Sequence, residues 1–367
     1  IGKTNVVIII LESFSAEYLK TYNKTGISYT PFLDSLASKS IVFQGMSNGK
    51  KSIDGIPAVL SSLPIMMEES YLTSCYGENK LGSIASNLAK HGYATAFFHG
   101  GYNGTMNFDN YTKKIGFEHY YGKNEYNNDA DYDGNWGIYD EPFLQYVVKQ
   151  MDTISKPFVS ALFTLSSHHP YSIPEQHIGR FPKGSMIVHE TVGYTDYALK
   201  RFFEQAAKTK WYDNTLFIIT SDHSALTSQK EFKTQLGLFK IPMIVFHPQL
   251  TQGVVSDRIM QQIDVYPTIA DLIHLEDRIF CFGHSAFSSE YDFYIYYTNG
   301  EYLLLSDGYL SKYKEGYPIE LYDTKTDEGL KLDIASKNKE RANKHQRLTE
   351  AIIQQYNNNI ISNSTQP

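Results

Sequence analysis

The sequence predicts an α/β protein: a mostly parallel sheet with helices on both faces, followed by a small C-terminal antiparallel subdomain. Three observations carry this reading. Short β-branched runs recur between residues 5 and 246, each long enough for a buried strand. Helical patterns separate them, and strand-helix-strand alternation calls for a parallel sheet covered on both sides. Beyond about residue 290 the character changes to YDFYIYYTNGEYLLLSDGYLSKYKEG, where aromatic runs flank Asn-Gly and Asp-Gly, the signal of antiparallel hairpins.

In chain order, the first strand is NVVIIIL at 5–11. TPFLDSLASKS at 30–40 opens on a Thr cap with Pro in the first turn, and LGSIASNLAKHG at 81–92 ends on Gly, both helix signatures. Strands are expected at 93–98 (YATAFF) and 157–164 (PFVSALFT). ETVGYTDYALKRFFEQAAK at 190–208 carries a long apolar stripe at helical spacing. Runs at 215–221 (TLFIITS) and 241–246 (IPMIVF) complete the expected parallel set. From 339 the chain reads as a charged helix whose end, NNNIISNSTQP, is expected to fray. The division expected is a main domain over 1–290, the antiparallel subdomain over 291–338, and a C-terminal helix and tail over 339–367.

With 367 residues, 42% of them hydrophobic, the chain can bury a large core. A net charge of -7 offers no broad positive field, which excludes nucleic acid as an expected partner. The longest apolar runs are far shorter than the ~20 residues that cross a bilayer. The chain begins at Ile1, so a signal, anchor or membrane segment can precede it. Cys75 and Cys281 are compatible with one disulfide or with two free thiols. Many of the 29 tyrosines fall in NYTKKIGFEHYYGKNEYNNDADYDGNWGIYDE (110–141), where they suit either surface packing or contacts to a carbohydrate or polar headgroup.

Ligands of an open parallel sheet bind beyond the carboxyl ends of its strands, and Glu12 comes directly after the first one. TLFIITSDHSALTS repeats the arrangement: a strand ends at Ser221 and is followed by Asp222 and His223. A single carboxylate there can be a helix cap, but carboxylates gathered with an imidazole are what a divalent cation prefers. The third element is SNGKKSIDGIPAVLSSLP (47–64), in which Ser52 precedes a helix-like segment. Ser52 serves either as an N-cap or as a nucleophile whose hydroxyl is acidified by a cation and by the helix's positive end.

In order and spacing, NVVIIILESF, TPFLDSLASKSIVF, GKKSIDGIPAVLSSLP, LSSHHPYSIP, SDHS, QQIDVYPTIADLI and ELYDTKTDEG resemble the extracellular domain of the lipoteichoic acid synthase and phosphoglycerol transferase group. That group belongs to the alkaline phosphatase and sulfatase superfamily, and the likeness covers roughly residues 4–330. The resemblance implies an alkaline-phosphatase/sulfatase-like fold and one divalent cation, manganese with magnesium or zinc as alternatives, held by Glu12, Ser52, Asp222 and His223. Ser52 takes the place of the family's threonine nucleophile and keeps its hydroxyl. His99, at the end of the strand at 93–98, and His168, just after the strand at 157–164, match histidines that bind the phosphate and handle the proton of the leaving or incoming group. His169 has no counterpart in the pattern. The implied substrate is a phospholipid or a phosphate or sulfate ester, with an envelope glycan as acceptor. The implied location is the periplasmic or extracellular face of a bacterial membrane, with an N-terminal anchor preceding Ile1.

One departure bears on specificity. Where the group carries Trp-Asn-Arg to grip glycerol phosphate, this chain has Met106, Asn107 and Phe108. Met and Phe cannot imitate the forked clamp of an arginine. Asn107 and Lys51 are the expected substrate-binding substitutes, with Lys50 another source of charge. Three functions remain open at this point: a transferase moving a phosphoglycerol-type headgroup through a covalent Ser52 intermediate, a hydrolase of sulfate or phosphate esters, and a non-catalytic binding domain. The second is weakened because Ser52-Ile-Asp-Gly-Ile lacks the Cys/Ser-x-Pro-x-Arg motif of sulfatases. The third is weakened because every expected ligand is present.

Overall fold

β1 (Asn5–Leu11), the run NVVIIIL, is buried along its whole length. It lies at the centre of the main sheet of the computed structural model, which describes residues 3–288 and 293–366. The remaining strands of that sheet are β2 (Ile41–Met46), β3 (Ala94–His99), β4 (His119–Tyr121), β5 (Phe158–Phe163), β6 (Thr215–Ser221), β7 (Lys240–Ile241), β8 (Met243–Phe246) and β9 (Val254–Gln261). Their order is β4-β3-β5-β1-β6-β8-β2-β7, with β9 beside β2. β7 and β8 run against the other strands.

The helices are α1 (Pro31–Ala37), α2 (Ser52–Ser61), α3 (Ile84–Lys90), α4 (Phe108–Lys114), α5 (Lys123–Tyr126), α6 (Asp140–Asp152), α7 (Val188–Ala206), α8 (Val265–Leu272) and α9 (Lys339–Ile361). Alternation along β1 shows how they divide. Val6, Ile8 and Ile10 join one core with Ile56, Val59 and Leu60 of α2, Leu88 of α3 and Ile269 of α8. Val7, Ile9 and Leu11 join the other with Leu33 of α1, Val147 of α6 and Phe202 of α7. Period-two side chains feeding two helical layers give the sheet buried on both faces that the sequence predicts.

The run at 241–246, expected as a parallel strand, is instead β7 and β8, split at Pro242 and antiparallel. Proline has no N–H to give the ladder, and residues 222–239 contain only 3-10 turns, so no helix carries the chain back for a parallel return. β2 and β9 lie outside the runs expected to be strands. Both cysteines are free thiols, Cys75 exposed and Cys281 bound to the Gly283 carbonyl at 3.3 Å.

A second sheet contains β10 (Phe293–Thr298), β11 (Glu301–Ser306), β12 (Tyr309–Tyr313) and β13 (Glu320–Asp323), all antiparallel. Asn299-Gly300 and Asp307-Gly308 make its first two turns with positive φ at both residues, as tight hairpins require. The boundary expected at 290/291 lies outside the described residues. The tail does not fray: Thr365 is buried and its carbonyl accepts from Gly82 N at 3.0 Å, while Asn363 Oδ1 accepts from Lys80 N at 2.7 Å. Among the described residues no helix is long and apolar enough to cross a membrane.

α9 is bound into the main core by Tyr356 and Ile360, with Tyr356 packed 5.4 Å from the Phe282 ring. Tyr356→Ala is expected to cost about 3–5 kcal/mol in chemical denaturation, the range for removing a buried aromatic ring. A loss below about 1 kcal/mol would mean that α9 stands apart from the main fold.

Candidate active site

β1 and β6 are hydrogen-bonded neighbours, and their last registered pair is Leu11 with Ser221. The next residue on each strand is therefore Glu12 and Asp222, set side by side at the carboxyl edge. Both are buried. Backbone and hydroxyl groups fix them: Glu12 N donates to Thr164 Oγ1 at 2.9 Å, and Ser167 Oγ donates to the Glu12 carbonyl at 2.5 Å. Ser13, at φ 55°, donates its N–H to Asp222 Oδ1 at 2.8 Å and its hydroxyl to Glu12 Oε1 at 2.6 Å.

His223 completes the group. A carbonyl only accepts, so the 2.8 Å contact to the Ser224 carbonyl places a proton on Nδ1 and turns Nε2 toward the carboxylates. Nε2 lies 3.3 Å from Asp222 Oδ2 and 3.9 Å from Glu12 Oε1. Asp222 Oδ2 is buried and accepts no hydrogen bond among the described residues. One ligand atom from each of Glu12, Asp222 and His223 lies within 4.8 Å of the others. Carboxylates and an imidazole facing one another in a dry site are stabilised by positive charge placed between them. Two carboxylates and an imidazole are a donor set for a divalent cation, so the residues fit one. Burial foremost, then the Asp222 carboxylate, holds the Glu12 carboxyl well above the usual carboxylate range, while the Ser13 and Ser52 hydroxyls pull it back.

Ser52 is the first residue of α2, with its hydroxyl buried and directed at Glu12 Oε2, 3.4 Å away. The positive end of α2 thus meets the acidic pair. Gly55 permits the approach, since a Cβ there would lie 2.1 Å from the Asp222 carbonyl oxygen. The loop ahead of Ser52 is held from two sides. Asn48 N donates to Gln262 Oε1 at 2.7 Å, and Gln262 Nε2 donates to the Ser221 and Asp222 carbonyls at 2.7 Å each. From the second sheet, the Ile295 carbonyl accepts from Asn48 Nδ2 at 2.9 Å and Tyr294 OH donates to the Ser47 carbonyl at 2.7 Å.

His99 ends β3, buried against Phe163 at 4.8 Å between ring centroids. Burial foremost lowers its pKa to about 4, opposed by the Phe163 carbonyl and Asp222 and assisted by His168, so its ring is neutral at neutral pH. His168 is half-buried, with Nδ1 2.6 Å from the His169 carbonyl.

The other expected residues make different contacts. Lys51 is exposed and its charge favours the Asp54 carboxylate. Lys50 lies over Phe239 and Tyr296, 5.2 and 5.8 Å from their centroids. Asn107 accepts from Asn110 Nδ2 at 2.7 Å and lines a cleft with Leu72, Glu78, Tyr111 and Lys114, none of them a ligand residue. Phe108 is fully buried, 5.9 Å from the His99 ring, so it is core and no wall of a headgroup pocket. The residues that orient the site, Ser13, Gly55, Thr164, Ser167 and Gln262, lie within the quoted stretches, but sequence alone assigned none of them this role.

A mostly parallel, doubly covered sheet with its polar cluster at the carboxyl edge is the alkaline phosphatase type of fold, and the protein is an enzyme of that superfamily. Residues 4–275 match the sulfatase family, and the chain belongs to it. It is similar to lipoteichoic acid synthase 1 of Bacillus subtilis, 28% identical over 95% of this chain and 57% of that protein. It is also similar to the lipoteichoic acid synthase of Staphylococcus aureus, 25% identical over 96% of this chain and 57% of that protein. The chain thus spans under three fifths of the length of these relatives. Among solved structures, an alkaline phosphatase superfamily protein from Vibrio parahaemolyticus superposes with TM-score 0.82 at 26% identity, covering 97% of this chain and 88% of that one. The lipoteichoic acid synthase LtaP of Listeria monocytogenes shares the fold with TM-score 0.80 at 21% identity, covering 97% and 93%.

The raised Glu12 pKa has a signed consequence for cation-free protein. A carboxyl whose folded pKa exceeds its unfolded value stabilises the fold fully below the unfolded value, and that stability is lost as pH rises through the folded one. Glu12→Gln, neutral throughout, is expected to raise the thermal midpoint of cation-free protein at mildly alkaline pH, by about 2–4 °C per kcal/mol of repulsion removed. The same substitution should weaken divalent-cation binding. A variant less stable than wild type under those conditions would show that Glu12 is not repelled by Asp222.

Proposed function

We propose that this chain is the catalytic part of a metal-dependent transferase that moves a phosphoglycerol-type headgroup from a phospholipid to a cell-envelope acceptor through a covalent Ser52 intermediate. It acts on the outer face of a bacterial membrane. The observation that carries this reading is the Ser52 hydroxyl at the start of α2, 3.4 Å from Glu12 and beside a buried carboxylate-imidazole group. The similarity to lipoteichoic acid synthases supports the choice of substrate class.

Glu12, Asp222 and His223 would hold one divalent cation with Ser52, and three oxygens with one nitrogen favour Mn2+, with Mg2+ or Zn2+ as alternatives. When bound, that ion supplies charge neutralisation and Lewis acidity toward the serine and phosphoryl oxygens. Ser52 Oγ, entering as the alkoxide, forms a bond to phosphorus while the bond to the lipid's glycerol oxygen breaks. The leaving oxygen takes a proton from His168. In the second half the acceptor hydroxyl gives its proton back to His168 and attacks phosphorus, releasing Ser52 as the alkoxide. One proton passes through His168 in each direction per turnover, a role suited to an imidazole. His99, neutral and buried, contributes a polar wall for the phosphoryl group.

Ser52→Ala is expected to abolish turnover and any covalent adduct after incubation with phosphatidylglycerol vesicles, read by intact mass. Stability should stay within about 1 kcal/mol of wild type, since Lys51 and not Ser52 is the N-cap of α2 and the hydroxyl gives up one hydrogen bond, to Glu12. An adduct that persists in the variant would rule out Ser52 as nucleophile. Phosphatidylglycerol itself should be a poor donor, because a missing bidentate clamp costs on the order of 1.5–3 kcal/mol in transition-state binding. Steady-state kinetics with a labelled phosphatidylglycerol decide this; efficient turnover would show that other groups grip the headgroup. If the adduct forms but only water accepts the group, the chain is a hydrolase with the same first half-reaction.

A further inference from the structure

Trp136 is one of two tryptophans and is 38% exposed, an unusual position for so large an apolar ring. Its indole is held in place on both sides. The Nε1–H donates to the His169 carbonyl at 2.7 Å, and the ring packs against the His168 imidazole at 4.4 Å between centroids, with the planes 63° apart. The same His169 carbonyl is 2.6 Å from His168 Nδ1. Since a carbonyl only accepts, that contact fixes a proton on Nδ1 and leaves Nε2 as the ring nitrogen that can give and take the transferred proton.

The loop carrying Trp136 is itself rigid. Asp133 Oδ1 accepts from the N–H groups of Asn135 and Trp136 at 2.8 Å each and of Gly137 at 3.1 Å. Gly137 pairs with Gly101, just beyond His99, and Ile138 N donates to the Gly100 carbonyl at 3.0 Å. Only glycine fits at 137, where a Cβ would lie 2.2 Å from the Gly100 oxygen. Trp136 therefore ties the end of β3, where His99 sits, to the turn after β5 that bears His168.

We propose that Trp136 is a positioning residue: its N–H and ring hold the 168–169 turn so that His168 stays in the Nδ1–H tautomer with Nε2 directed outward for proton transfer. This rests on the role assigned to His168 above. An imidazole free to rotate or to change tautomer would present Nε2 for only part of the time, which lowers kcat and leaves substrate binding nearly unchanged.

The test pairs a spectroscopic readout with a kinetic one, on wild type, Trp136→Phe and Trp136→Ala with the bound cation retained. Long-range 1H–15N correlation of the His168 ring, recorded at a pH where the ring is neutral and assigned with His168→Gln, should show the Nδ1–H tautomer in wild type and a tautomer mixture in Trp136→Ala. With bis(4-nitrophenyl) phosphate as probe, kcat should fall at least tenfold in Trp136→Ala while KM stays within about twofold. Trp136→Phe, which keeps a ring and loses the N–H, should fall between. An Nε2–H tautomer in wild type, or a Trp136→Ala protein with unchanged tautomer and unchanged kcat, would overturn the proposal. The two readings fail separately. The stated tautomer changes in a protein that turns over no phosphodiester would sink the transferase reading and leave the positioning of His168 standing.

Discussion

Two carboxylates held side by side out of water are the constraint around which this enzyme is organised. Glu12 and Asp222 follow a registered pair on adjacent parallel strands, so the sheet itself forces them together. Like charges in a buried place are costly, and the protein does not move them apart. It surrounds them with donors, the backbone N–H groups of Ser13 and His223 and the hydroxyls of Ser13 and Ser52, and leaves one Asp222 oxygen without a donor among the described residues. Such a pair is stabilised by positive charge, and His223 Nε2 lies beside both carboxylates as a third donor atom.

Much of the remaining architecture supports this pair. Gly55 allows α2 to approach Asp222 and deliver Ser52 with the helix's positive end foremost. Gln262 joins the Asp222 backbone to the loop ahead of Ser52, so the two sides of the site cannot drift independently. The small second sheet has its reason here as well. Its first strand clamps Ser47 and Asn48 through Tyr294 and the Ile295 carbonyl, buttressing the loop ahead of Ser52 from behind. Reactive groups set on strand ends and a helix start, with packed elements behind them, can be held to the tolerances that group transfer needs.

The histidines occupy the next strand ends outward and differ in environment. His99 is buried among aromatic rings and kept neutral by desolvation, whereas His168 is half-exposed beneath Trp136. Phe108 belongs to the packing around His99, so that position has been absorbed into the core and cannot face a substrate. The nearby tyrosines at 120 and 121 pack on β3, Tyr120 against Phe97 and Tyr121 against Phe98.

The sequence by itself determined what depends on local pattern. The uncharged β-branched runs specify β1, β3, β5 and β6, and the Asn-Gly and Asp-Gly pairs specify the hairpins of the second sheet, because period and turn chemistry are properties of a few neighbouring residues. Glu12 and Asp222-His223 were legible because a charge directly after a buried strand has few places to go. Only the tertiary structure decided what depends on contacts between distant segments. Pro242 and the helix-free return after β6 made the last expected parallel strand antiparallel. Thr365 and Asn363 pinned a tail that reads as frayed, since its partners lie near residue 80. Phe108 went inward and Asn107 turned to Asn110, choices set by packing around His99 that no motif records. Trp136 reached His168 through a loop whose glycines and Asp133 say nothing, in one dimension, about which strand ends they will bring together.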